Sequence, residues 1–168
     1  EDTLLDSDEQ AIAELRELAS RNTPNLGFGI ASGRSIQMVR ELIEKHDFPE
    51  PDVCITQLGG EIYYGKRQVI DLAWEKHVAH RWYPDEIMEV LDGGEGLTLQ
   101  TFEGSQHQFK VSYDCDRSIA PHRREIQKTL RQHNLPAKVI LSHGHLLDVI
   151  PLRSGKGQAI RYVTMRWG

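Results

Sequence analysis

The chain has 168 residues, a mass of 19.2 kDa and a formal net charge of −5, with 39% hydrophobic and 27% charged residues. That is the size of one domain, or of a core carrying a small insertion, and it is too apolar for a disordered chain. The acidic balance excludes a general basic field for nucleic acid, no apolar run nears the ~20 residues that span a bilayer, and two cysteines cannot build a disulfide scaffold or a four-cysteine zinc site. The acidic start, Glu1-Asp2-Thr3, lacks the layout of a signal peptide, so a cytoplasmic chain with no membrane or nucleic-acid partner is expected.

The first helix is signalled by Asp6-Ser7-Asp8 as cap and by Ile12, Leu15, Leu18 and Ala19 at helical spacing. Pro24 breaks it. The nearly continuous apolar run 26–31 reads as a parallel strand buried on both faces. After Ser32-Gly33-Arg34-Ser35 a second helix puts Ile36, Val39, Leu42 and Ile43 on one face, and Val53-Cys54-Ile55-Thr56 is the next strand. Helix, strand, helix, strand is the grammar of a doubly wound α/β sheet.

The pattern then changes. Residues 62–64 and 69–70 predict a β-hairpin, Pro84 to Leu91 a short helix, and 97–101 and 108–113 alternating antiparallel strands. A helix is predicted over 119–133, strands over 138–142 and 146–150, and a last helix over 155–167 with Ala159, Ile160 and Val163 on one side. The expected organisation is an α/β core, residues 1–75, interrupted by an α+β cap at 76–142, with a return to the core over 143–168. Trp74 and Trp82 are expected to pack at the junction.

Three segments can carry chemistry. Ser32 and Gly33 end a parallel strand and open a helix, where ligands of open α/β sheets bind and free N–H groups favour an anion; Ser32 can equally be an ordinary N-cap. Lys156, at the start of the last helix, can neutralise a phosphate as a point charge or sit solvated; the spacing around it is not that of a P-loop. Glu1 and Thr3 precede an apolar pair, or are a ragged acidic terminus. Asp148 follows two leucines and needs a partner if buried. His143 and His145 lack the further ligands of a zinc site, and His77, His80, His107, His122 and His133 are expected on solvated faces.

In this order the segments resemble the haloacid dehalogenase (HAD) phosphatase superfamily. Its motifs run Asp-x-Asp-x-Thr, a Ser or Thr after a strand, a Lys, and an acidic loop; Thr3, Ser32 and Lys156 match the first three. The stretches 28–35, 58–63, 109–113 and 147–151 sharpen the likeness. The chain looks like sucrose-phosphate phosphatases and, most of all, like the phosphatase-like C-terminal domain of bacterial sucrose-phosphate synthases. The resemblance implies a HAD-like Rossmann-type core with an inserted α+β cap. It also implies Mg²⁺ as cofactor and hydrolysis of sucrose 6-phosphate through an aspartyl-phosphate.

By the same resemblance Ser32, Gly33 and Lys156 bind phosphate, while Arg34, Glu61, Lys110, His145 and Asp148 are the sugar candidates. Glu1 stands where the family has the second motif-one Asp, its general acid and a magnesium ligand. The nucleophilic Asp is expected two residues before Glu1 and the acidic loop beyond Gly168, so the 168-residue chain alone is expected to be inactive. The second reading is a catalytically degenerate domain that regulates or channels for the glycosyltransferase domain of a sucrose-phosphate synthase.

Overall fold

A computed structural model of the protein describes residues 9–21, 27–102, 104–116, 118 and 122–167. Glu1, Thr3 and the predicted cap at Asp6-Ser7-Asp8 lie outside the described residues. The helices are α1 (Glu9–Ser20), α2 (Ile36–Lys45), α3 (Leu72–Val78), α4 (Pro84–Leu91), α5 (Arg123–Gln132) and α6 (Lys156–Trp167). The strands are β1 (Gly29–Ala31), β2 (Val53–Thr56), β3 (Glu61–Tyr64), β4 (Val69–Ile70), β5 (Leu97–Leu99), β6 (Val111–Cys115), β7 (Ala137–Ser142) and β8 (Leu146–Pro151).

They form two sheets. The first runs β1-β2-β3-β4, with β1 and β2 parallel and the other pairs antiparallel. The second, antiparallel throughout, runs β5-β6-β8-β7. Local chemistry explains the helices that position the first sheet. Ile36, Val39 and Ile43 recur on one buried face of α2, and the Ser35 hydroxyl caps it, accepting from the Met38 N–H at 3.3 Å. Asp71 caps α3 in the same way, accepting from the Trp74 N–H at 2.9 Å. That helix has no counterpart among the predicted elements.

Two expectations need correction. First, β8 does not return to the first sheet. Tyr113 faces Leu147 and Val139 faces Val149, so residues 146–151 are paired between β6 and β7 and the second sheet extends past 142. The chain rejoins the first layer at α6, whose Ala159 and Val163 are buried with Val53, Ile55 and Ile62. Second, β1 is not buried on both faces. Gly29 and Ala31 are exposed, because among the described residues β1 pairs with β2 alone. Its other edge borders an apolar groove of about 320 Å³ closed by Ile160, Val163 and Trp167. Ile160 is accordingly exposed there rather than packed with Ala159.

Phe109 is a main fastening between the layers among the described residues. It comes from the loop leading into β6, is 1% exposed and packs in the first layer's cluster with Val53, Ile62 and Trp74. The expected junction packing is present. The Trp74 indole N–H donates to the Gly59 carbonyl at 3.1 Å, and that of Trp82 to the Gln108 carbonyl at 2.7 Å. Among the described residues no helix is long and apolar enough to cross a membrane.

Candidate active site

The phosphate-type segments meet at one turn. Residues 57–59 form a single 3₁₀ turn between β2 and β3, with Gln57, Leu58 and Gly59 all at positive φ. The Ser32 N–H donates to the Ile55 carbonyl at 2.8 Å, the Leu58 N–H to the Ser32 carbonyl at 3.2 Å, and the Gln57 N–H to the Arg34 carbonyl at 3.0 Å. The turn therefore clasps the Ser32 loop. On its other side Gly59 lies against the backbone of Gly155 and Lys156, where a Cβ would collide with the Gly155 carbonyl. Only glycine suits that contact and its φ of 87°.

Within the loop, the Ser32 Oγ accepts from the Arg34 N–H at 3.2 Å. Ser35, not Ser32, caps α2, and a hydroxyl that accepts, as Ser32 does, still has its O–H proton to donate. Lys156 is exposed at the first turn of α6. Beside it the Lys138 ammonium donates to the Ser154 carbonyl and to Gln158, tying β7 to the start of that helix. The buried Gln57 Oε1 and Ser154 Oγ have no hydrogen-bond partner, so polar atoms flanking the turn are left unsatisfied.

The sugar candidates divide into those brought together and those not. Glu61 opens β3, two residues after the turn, and is 7% exposed. Its Oε2 accepts from the Thr56 hydroxyl at 3.0 Å and its Oε1 lies 3.1 Å from the His107 Nε2. Burial pushes the Glu61 carboxyl up. The hydrogen bond and charge of His107, with the Thr56 and Tyr63 hydroxyls, outweigh this and hold it below the ordinary carboxylate value. Lys110 is half-buried and exchanges backbone hydrogen bonds with His107, at 3.0 and 3.1 Å. Burial lowers its ammonium, and Asp148 pulls it partly back. Asp148 has the partner it needs: the Ser112 hydroxyl, directly across β6–β8, donates to it at 2.6 Å. Glu61 is thus linked to the Lys110 backbone through His107, and Lys110 feels the charge of Asp148.

His145 stands apart. It is exposed on the β7–β8 turn, with its Nδ1 3.1 Å from the His143 carbonyl. Arg34 is half-buried in the Ser32 loop. The expectation that His107 is solvated is wrong, since its side chain is 23% exposed and paired to Glu61. Thr56, His107 and Ser112 are the functional candidates missed by sequence reasoning. The signals were a Thr and Glu bracketing the tight turn, and alternation that puts Ser112 on the side of Lys110.

No group of three or more His, Cys, Asp or Glu comes together to hold a metal among the described residues. The described donors therefore do not fit a magnesium site, and Glu1 lies outside them.

A family model, Sucrose-6F-phosphate phosphohydrolase, matches residues 1–168. The chain belongs to that family. It is 34% identical over 140 residues to sucrose-phosphatase 2 of Nicotiana tabacum, covering 81% of this chain and 32% of that protein. Sucrose-phosphate synthase 4 of Arabidopsis thaliana is 28% identical over 156 residues, covering 85% of this chain and 15% of the synthase. Among solved structures, the sucrose-phosphatase of Synechocystis sp. PCC6803 in complex with sucrose and phosphate superimposes with a TM-score of 0.85 at 30% identity, covering 96% of this chain and 66% of that one. A haloacid dehalogenase-like hydrolase protein of Bacillus subtilis, at 18% identity and a TM-score of 0.56, shares the fold. The family and the HAD-like fold expected from the motifs are therefore both established. The chain spans about a third of the length of the plant sucrose-phosphatases it matches.

Proposed function

We propose that this chain is the phosphate- and sugar-gripping part of a phosphatase that hydrolyses sucrose 6-phosphate to sucrose and phosphate. One observation carries the reading. The turn at 57–59 joins the Ser32 loop to the start of α6 on one side and leads straight into Glu61 on the other. A phosphate held by the Ser32 hydroxyl, the Gly33 N–H and the Lys156 ammonium would leave Glu61, which follows the turn directly, and with it Lys110 and Asp148, to the sugar. Two carboxylates can accept from sugar hydroxyls and the ammonium can donate to a ring or hydroxyl oxygen. The Synechocystis relative was solved with sucrose and phosphate, the two products of this reaction.

On this reading the phosphoryl group passes to an aspartate, the P–O bond to the sugar breaks, and the sugar oxygen takes a proton from the acid at the Glu1 position. Water then hydrolyses the acyl phosphate. Ser32 and Lys156 stabilise the charge that spreads over the phosphoryl oxygens. Magnesium enters through the family alone, and no step is routed through it. Arg34 and His145 remain sugar candidates by the family resemblance alone.

The test is phosphate release from sucrose 6-phosphate by the full-length protein in magnesium buffer. Lys156→Ala is expected to lower kcat by about 100-fold or more, the scale of losing one transition-state charge contact. No turnover in the unaltered protein overturns the reading. It would favour the second one, a phosphatase-like domain that has lost its chemistry within a sucrose-phosphate synthase, which the match to the Arabidopsis synthase and the Glu at position 1 support.

A further inference from the structure

We propose that His107 is a positioning residue that holds Glu61 in the one orientation in which it can read the sugar. The inference rests on the active-site reading above. Glu61 opens β3 and His107 lies in the loop before β6, so the contact joins segments far apart in the chain. The Glu61 side chain is 9% exposed, and its two oxygens are engaged by different partners, Thr56 and His107, with the Tyr63 hydroxyl as a third. A carboxylate held at both oxygens cannot rotate, yet it keeps lone pairs for a ligand hydroxyl, since an ionised carboxylate offers about four acceptor directions.

His107 is itself fixed. Its backbone N–H and carbonyl bond those of Lys110, and the next apolar side chain, Phe109, is sunk in the first layer's cluster. The Phe109 N–H points at the His107 Nδ1 at 3.4 Å. An acceptor at Nδ1 puts the proton of the neutral ring on Nε2, the atom that faces Glu61. One four-residue stretch thus sets the orientation of Glu61 through the imidazole and the origin of the Lys110 side chain through the backbone. A solvated histidine would do neither.

A residue that acts through Glu61 should affect sugar binding more than chemistry. In the full-length protein, His107→Ala is expected to raise KM for sucrose 6-phosphate about ten-fold with kcat within about three-fold, the scale of a lost hydrogen bond to a charged group. His107→Gln, which keeps an N–H donor at similar reach, is expected to restore most of the loss. An unchanged KM in His107→Ala overturns the proposal. So does a fall in kcat and melting temperature that Gln fails to rescue, which marks a fold-supporting role only. Should the unaltered protein show no turnover, the phosphatase reading fails separately. Calorimetric affinity for sucrose 6-phosphate then decides the role of His107: about ten-fold weaker binding in His107→Ala upholds it, and equal affinity or no binding by either protein overturns it.

Discussion

Lys110 and Glu61 are both withdrawn from water, with opposite consequences. Burial holds the Lys110 ammonium below its usual value, with Asp148 only partly offsetting it, so the folded chain binds that proton less tightly than the unfolded one. The charged lysine therefore subtracts from stability at neutral pH, and the deficit fades as pH rises through the lowered folded value. Lys110→Met is expected to raise the melting temperature at pH 7 while weakening sucrose 6-phosphate binding, which calorimetry on one sample can check. For Glu61 the sign reverses. Its folded value lies below the ordinary 4.5, so its contribution is complete above that pH and is lost as pH falls through the depressed value. Glu61→Gln should flatten the acid side of a plot of melting temperature against pH. An unchanged acid side would mean that other carboxylates set it.

Among the elements, the turn at 57–59 matters most, because it clasps the Ser32 loop on one side and meets the backbone of Gly155 and Lys156 on the other. Gly59→Ala would place a methyl group against the Gly155 carbonyl at a φ that side chains rarely adopt. The expected destabilisation exceeds about 1 kcal/mol, a fall of at least roughly 2–4 °C in melting temperature for a domain of this size. Phosphate affinity should fall with it, since α6 must retreat from the Ser32 loop. What could be read in advance at this scale followed from local physics. The face of α2, Pro84 opening α4 and the hairpin of β3 and β4 depend on neighbours in sequence, and Ser32 and Lys156 announce themselves by standing at helix starts. The missed items depend on distant partners. The sheet to which β8 belongs is decided by Ser112 and Val139 across it, not by its own residues. His107 resembles the chain's other exposed histidines until Glu61 is placed beside it. α3 was legible in principle, since Asp71 is a cap residue, but its seven-residue length gave the periodicity too little to show.

At the scale of the molecule, two sheets of four strands are joined through Phe109, through Trp82, which packs against both clusters, and through Lys138, which ties β7 to the start of α6. The doubly wound grammar of the opening residues and the antiparallel character of the middle both survive in the structure. The boundary between them did not, because it was drawn where the sequence pattern changes rather than where Phe109 and β8 attach. The loop residues 105–110 are anchored on both sides: Phe109 is sunk in the first layer's cluster, and the Gln106 side chain bonds the backbone of Gln100 and Ser112 in the second. Any swing of the second sheet relative to the first must therefore break the Gln106 hydrogen bonds or tear Phe109 out of its cluster. The first alternative bends the backbone between Lys110 and Val111. In deuterium exchange the amides of His107 and Lys110 would then keep time with those of β3, and the seam between slow and fast exchange would run through a single peptide bond at the mouth of the site.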